Sequence, residues 1–171
     1  TSESNTEMVN MALKGVKDVI NEIRSMSRTL VPHTLKDLGL VESILELTEV
    51  LRQTQLLQTH FDYSGFEEEQ LPENQKLTLF RIAQEQFNNI VKHAEASSIS
   101  IKLRSDLKGV TLEIQDDGKG FDPANRRKGL GFTNIRNRVE LFGGKKELVA
   151  QPGKGCSLRI FMPALPVEPA V

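Results

Sequence analysis

Apolar residues near the amino terminus keep a seven-residue rhythm. Val9, Val16, Ile23 and Leu30 recur at every seventh position, and Ala12, Val19 and Met26 fill the second apolar place of each heptad. Leu13 and Ile20 widen the stripe. This predicts one helix over 7–30 of the bundle or coiled-coil type, whose seam needs a partner helix to stay dry. Val31-Pro32 ends it, because proline disfavours helical geometry in the residue before it. A turn at Asp37-Leu38-Gly39-Leu40 then leads into a second helix over about 41–52, with Ile44, Leu45, Leu47 and Leu51 on its apolar face.

Further along, the period changes. Residues 56–63 alternate loosely and read as a strand, 64–72 as a polar, acidic loop, and 73–93 as a long helix. Two strands over 98–103 and 110–115 surround a turn at 106–109. Residues 117–131 are glycine-rich and charged, too polar for a core. A helix over 132–142 ends at the capping pair Gly143-Gly144. The last strands, 146–150 and 156–162, are joined by the turn Pro152-Gly153-Lys154-Gly155. Cys156, Leu158, Ile160 and Met162 share one face of the final strand, and from Pro163 the chain reads as a tail. No internal repeat is visible. The order predicts an α+β fold, a two-layer sandwich with helices on one face of a mostly antiparallel sheet. The expected division is a helical segment at 1–36, an α+β domain at 37–165 and a tail at 166–171.

Composition narrows the function classes. Lys plus Arg is 22 against 23 for Asp plus Glu, so the net charge of -1 gives no basic excess for nucleic acid. The single cysteine, Cys156, excludes an internal disulfide and a four-cysteine zinc site. No apolar run approaches the roughly 20 residues that span a bilayer, and Thr1-Ser2-Glu3-Ser4 does not begin a signal peptide. The expectation is a soluble, cytoplasmic piece of a longer protein, with any membrane anchor outside this chain.

Four constellations could carry chemistry. On the long helix, Glu85, Asn89 and Lys92 fall within about 60° of one another at ~100° per residue. Ala83, Phe87, Ile90 and Ala94 take the opposite side and should pack on the sheet. A carboxylate, an amide and an ammonium on one stripe suit magnesium and phosphate. A solvated helix face looks the same. Next, Asp116-Asp117-Gly118-Lys119-Gly120-Phe121 follows a strand: an acid at a buried strand end can accept from an exocyclic amine, and the glycines let a flat ring approach the backbone. An ordinary turn has similar residues. Gly129-Leu130-Gly131-Phe132 opens a helix, where backbone amides form an anion site, with Arg126, Arg127 and Lys128 just upstream. Gly153-Lys154-Gly155-Cys156-Ser157 is a hairpin turn whose strand could close a base pocket. Each alone is common. Their order on the right elements is not.

Together these residues resemble the GHKL ATPase superfamily, named for gyrase, a heat-shock chaperone, histidine kinases and MutL. Glu85, Asn89, Lys92 and His93 resemble its N-box, and Asp116, Gly118 and Gly120 its first glycine box. Gly129, Leu130 and Gly131 resemble the second box, and 153–157 the closing strand. The N-box ending in Lys92-His93 and the short lid are similar to sensor histidine kinases of the nitrate- and fluidity-sensing subgroup. Ile23-Arg24-Ser25-Met26-Ser27-Arg28, with Leu30, Pro32 and Leu38-Gly39-Leu40, resembles that subgroup's second dimerisation helix and its exit.

The resemblance implies ATP and Mg2+ as ligands. Asn89 would bind magnesium, Lys92 and His93 would lie near phosphates, and Asp116 would accept the adenine amine with Gly118 and Gly120 beside the ring. Gly129, Leu130 and Gly131 would meet phosphate through backbone amides. Glu85 would help deprotonate the acceptor imidazole or order magnesium. It further implies a homodimeric parent that phosphorylates its own histidine and relays the group to a response regulator receiver domain.

Two departures stand out. Cys156 replaces the family's usual threonine, and a thiol bonds weakly, so either Ser157 compensates or adenine is held less tightly. The acceptor motif, histidine followed by an acid on a first dimerisation helix, is missing: His33, His60 and His93 all lack that context. The chain alone is therefore expected to bind nucleotide without autophosphorylating. Rival expectations are a GHKL hydrolase, which needs a longer lid and a transducer domain, an anti-sigma serine kinase, and a dimerising signalling module whose pocket no longer binds ATP.

Overall fold

The computed structural model describes residues 33–55, 57–123 and 130–164. The heptad segment, Gly129 and the tail from 166 lie outside the described residues. A short helix α1 (His33–Asp37) meets a longer one, α2 (Gly39–Gln55), with only Leu38 between them. The sequence predicts a wider turn here and a helix starting at 41. The earlier start has a tertiary cause. Both carboxylate oxygens of Glu68 accept backbone N–H groups of α2, from Leu40 and from Val41, which satisfies donors that a helix start otherwise leaves without partners.

Strand β1 (Gln58–Asp62) follows, then a 3-10 turn (Glu68–Gln70) and the long helix α3 (Glu73–His93). Glu73 opens α3 and Lys92 and His93 close it, each suited in sign to its end of the helix dipole. Strands β2 (Ser98–Asp106) and β3 (Gly109–Asp116) form a hairpin longer than predicted. Its turn is Leu107-Lys108, fixed by the Asp106 carboxylate, which accepts from the amides of Lys108 and Gly109. Helix α4 (Leu130–Glu140) and strands β4 (Lys145–Ala150) and β5 (Cys156–Pro163) complete the order.

The five strands lie in the order β1-β2-β3-β5-β4, antiparallel throughout except for the parallel pair β1–β2. The α+β expectation holds. The core lies between one sheet face and the helices. Ile99, Ile101 and Leu103 of β2, Val110, Leu112 and Ile114 of β3, and Leu158, Ile160 and Met162 of β5 are buried at alternate positions. Leu79, Ile82, Ala83, Phe87 and Ile90 of α3 meet them, with Ile44 from α2 and Ile135 and Val139 from α4. Each of these side chains larger than Ala83 contributes about 1.5–3 kcal/mol on full burial. That sum fixes α3 over the middle of the sheet, and α3 carries half of the site.

Candidate functional site

The alternation of β3 does not stop at its last apolar residue. Val110, Leu112 and Ile114 point into the core, and Asp116 takes the next inward place, 3% exposed. Across the sheet it pairs with Ile99 on one side and Cys156 on the other, and Cys156 pairs with Ala150. A carboxylate thus stands in a row of buried apolar neighbours. Burial pushes its pKa above the ordinary 3.8, opposed by hydrogen bonds from the backbone of Gly118 and Cys156 and reinforced by the nearby Asp117 charge. The Gly118 amide donates to Asp116 Oδ1 at 3.0 Å.

The chain leaving β3 is stitched on both sides. Asp117 Oδ1 accepts from the amides of Ser97 and Ser98, each at 2.8 Å, and Oδ2 accepts from the Ser97 hydroxyl at 2.7 Å. Those bonds, the Ser98 amide first, hold the Asp117 pKa well below the usual carboxylate range. The Lys119 amide donates to the Ala94 carbonyl at the end of α3 (2.7 Å), and Gly153 N–H donates to the Lys119 carbonyl (2.6 Å).

Glycine is required at two of these positions. A Cβ on Gly118 would lie 2.3 Å from the Ala94 carbonyl oxygen, and one on Gly120 only 2.0 Å from that of Gln151. Gly120 also has φ of +58°, a conformation that L side chains avoid. The helix end, the strand exit and the β4–β5 turn therefore meet backbone to backbone. The glycines have a structural use here beyond the approach of a ring.

Beside this junction is an open hollow of about 340 Å3, lined by Gln86, Asn89, Ile90, His93, Ala94, Asp116, Gly120, Phe121 and Cys156. That volume includes open solvent, so the hollow is a cleft open to the surface and not an enclosed cavity. Asn89 and Asp116, 27 positions apart (116 minus 89), border the same hollow. His93 is exposed at its rim. Lys92 is exposed and Glu85 half-buried, and neither is among the lining residues. Ser157 follows Cys156 on β5, so strand alternation turns its side chain to the other face of the sheet. Leu130 and Gly131 open α4.

Several lining residues escape the sequence reading. Ile90 and Ala94, assigned there to sheet packing, also face the hollow, as do Phe121 and Gln86. The signal was present: Gln86, Asn89, Ile90 and His93 have i, i+3, i+4, i+7 spacing, one stripe of a helix. Gln86 was obscured by its polarity in a buried position. It is 1% exposed.

An α+β domain with a hollow between a helix amide and a buried strand-end carboxylate is a ligand-binding architecture. Residues 74–166 match the family described as histidine kinase-, DNA gyrase B-, and HSP90-like ATPase. The chain belongs to this ATPase family, in its sensor histidine kinase branch. It is 34% identical over 143 residues to the histidine-protein kinase/phosphatase UhpB of Salmonella typhimurium, covering 83% of this chain and 28% of that protein. It is 33% identical over 159 residues to the sensor histidine kinase MctS of Rhizobium johnstonii, covering 91% and 34%. The chain thus spans about a third or less of these relatives' length. In fold it is similar to the histidine kinase domain of a blue-light activated histidine kinase from Erythrobacter litoralis, with a TM-score of 0.58 at 17% identity, covering 73% of this chain and 61% of that one. A mycobacterial sensor histidine kinase, MprB, gives 0.55 at 21% identity, with 74% and 95% covered. Among the described residues no helix is long and apolar enough to cross a membrane.

Proposed function

We propose that this chain supplies the catalytic step of a sensor histidine kinase, using ATP with Mg2+. On this reading 37–165 is the catalytic domain, 1–36 the second helix of a dimerisation domain, and 166–171 a tail. Asp116 accepts a hydrogen bond from the adenine amine, with Gly118 and Gly120 beside the ring and Cys156 and Ser157 on the closing strand. Lys92 and His93 meet the phosphates, as do the backbone amides of Gly129, Leu130 and Gly131. Glu85 helps deprotonate the accepting imidazole or orders magnesium.

The observation that carries this reading is the shared hollow of Asn89 and Asp116. Magnesium suits the residues present. Among the described residues no cluster of three or more His, Cys, Asp or Glu could hold a metal alone. Mg2+ needs no such cage, because it keeps waters and phosphate oxygens and takes one or two protein groups. The amide nitrogen of Asn89 is buried without a hydrogen-bond partner, and the other end of the amide, its oxygen, is the atom that would meet the ion. Asn89 would hold the ion, which when bound neutralises charge on the phosphates.

The rest is positioning. Asp116 and the walls around it fix the base, and Lys92 opposes phosphate charge from the next turn beyond Asn89. The γ-phosphoryl group then passes to a histidine nitrogen on a dimerisation helix, and onward to an aspartate of a response regulator receiver domain. The intact protein works as a homodimer with this domain in the cytoplasm.

Titration with a fluorescent ATP analogue tests the binding step. Saturable binding, tighter with Mg2+, is expected; no binding to the folded chain would overturn the proposal. In the intact protein, a Glu85→Gln variant that binds ATP but no longer transfers phosphate would give Glu85 a chemical role. Undiminished transfer would remove that role.

A further inference from the structure

Polar side chains on the α3 stripe become more deeply buried towards the middle of the helix. His93 is exposed, Asn89 half-buried, and Gln86 is 1% exposed. Gln86 is therefore the deepest polar group on the helix wall of the hollow, as Asp116, 3% exposed, is on the sheet wall. The Gln86 Oε1 atom is buried with no hydrogen-bond partner. A buried carboxamide oxygen without a donor is costly, and such a group in a native protein calls for an explanation.

We propose that Gln86 is a second base-reading residue, accepting a hydrogen bond from the exocyclic amine of the bound nucleobase beside Asp116. This rests on the nucleotide reading above. A 6-amino purine carries two N–H donors on one nitrogen. Asp116 already accepts from Gly118 through Oδ1, and with its remaining capacity it takes one of the amine hydrogens. The other hydrogen would enter the deepest part of the hollow, where an unmatched donor costs about ten-fold in affinity. Gln86 Oε1 is buried just behind the opposite wall, and a turn of the amide brings this unmatched acceptor to the hollow that Gln86 lines. Each group makes good the other's deficit, directly or through one water. The sugar and phosphates then lie towards exposed His93 and Lys92, where solvent can serve them. On this view, helix and sheet both read the base, and a purine lacking the amine is refused on both sides.

The test compares affinities in the whole chain for ATP, purine riboside triphosphate (hydrogen in place of the amine) and 2′-deoxy-ATP, in wild type, Gln86→Leu and Gln86→Met. Both substitutions keep the bulk and remove the acceptor, and Met adds flexibility should Leu pack poorly. The preference for ATP over purine riboside triphosphate should fall about three- to ten-fold in both variants, the range for loss of one neutral hydrogen bond. The preference over 2′-deoxy-ATP should stay within about two-fold. An unchanged amine preference in folded variants would overturn the role of Gln86 while leaving nucleotide binding intact. A loss confined to the 2′-deoxy comparison would assign Gln86 to the sugar and also overturn it. Failure of wild type to bind any of the three would instead defeat the nucleotide reading itself.

Discussion

The two walls of the hollow are built on different principles. On the sheet wall nearly every polar group is tied. Asp116 receives the Gly118 amide, Asp117 receives two amides and a hydroxyl, and Lys119 bonds to both α3 and the β4–β5 turn. On the helix wall, the Asn89 amide nitrogen and the Gln86 amide oxygen are buried without partners. One wall is finished before a ligand arrives, whereas the other still lacks hydrogen-bond partners. A pre-organised wall fixes where the ligand sits, because its geometry costs nothing further at binding. Unsatisfied groups opposite it make occupancy more favourable than emptiness.

Substitutions on the two walls should therefore fail differently. The largest expected effect is on the sheet wall. Asp116→Ala should weaken ATP binding about 10- to 100-fold, the range for a hydrogen bond to a charged group, measured by calorimetric titration. Its neutral counterpart sharpens the contrast. The folded pKa of Asp116 is raised, so the folded state holds its proton more tightly than the unfolded chain does. Stability from this group is fullest below pH 3.8 and declines as pH rises through the folded value. Asp116→Asn should remove that decline, giving an empty domain at least as stable at pH 7 but poor at binding ATP. A lower melting temperature together with normal affinity would reverse the picture.

Gly120→Ala tests the junction. The added methyl meets two carbonyl oxygens and φ is positive, so a loss of about 1–3 kcal/mol in chemical denaturation is expected. Unaltered stability would mean that the strand exit and the β4–β5 turn can separate freely.

On the helix wall, Asn89→Ala should leave the empty domain's stability nearly unchanged, since it deletes an unmatched donor. Mg2+ should lose most of its effect on ATP affinity in this variant, a change of about ten-fold followed by titration with and without the ion. A large loss of stability would show that the amide does have a structural partner.

The smallest effect belongs to Asp117→Ala, about 1 kcal/mol once the exposure of the carboxylate is allowed for. Its folded pKa is depressed, so its stabilisation is present above pH 3.8 and fades as pH falls through the folded value. The difference between variant and wild type should shrink in acid. A constant difference across that range would point to packing instead of charge.

Much of the fold was legible in the chain. Period-two runs of Val, Ile and Leu gave the strands of the β2–β3–β5 core, and the 3.6-residue stripe of 73–93 gave α3 to the residue. Those signals are local. The hairpin's extra length depended on the Asp106 carboxylate fixing its turn, and the start of α2 on Glu68, 28 positions beyond Leu40. Propensity carries no information about a cap that comes from so far along the chain.

The site divides in the same way. Residue types and their spacing determined which groups could do chemistry: an acid at a strand end, glycines after it, an amide and a lysine on one helix face. The tertiary structure decided which of them share a space. It brought Asn89 and Asp116 to one hollow, left Glu85 and Lys92 off its lining, turned Ser157 to the other face, and drew in Gln86, Ile90 and Phe121. The physical reason is burial. Whether a polar side chain is solvated or stranded depends on what packs against it from distant parts of the chain, and the pattern along one element cannot record that.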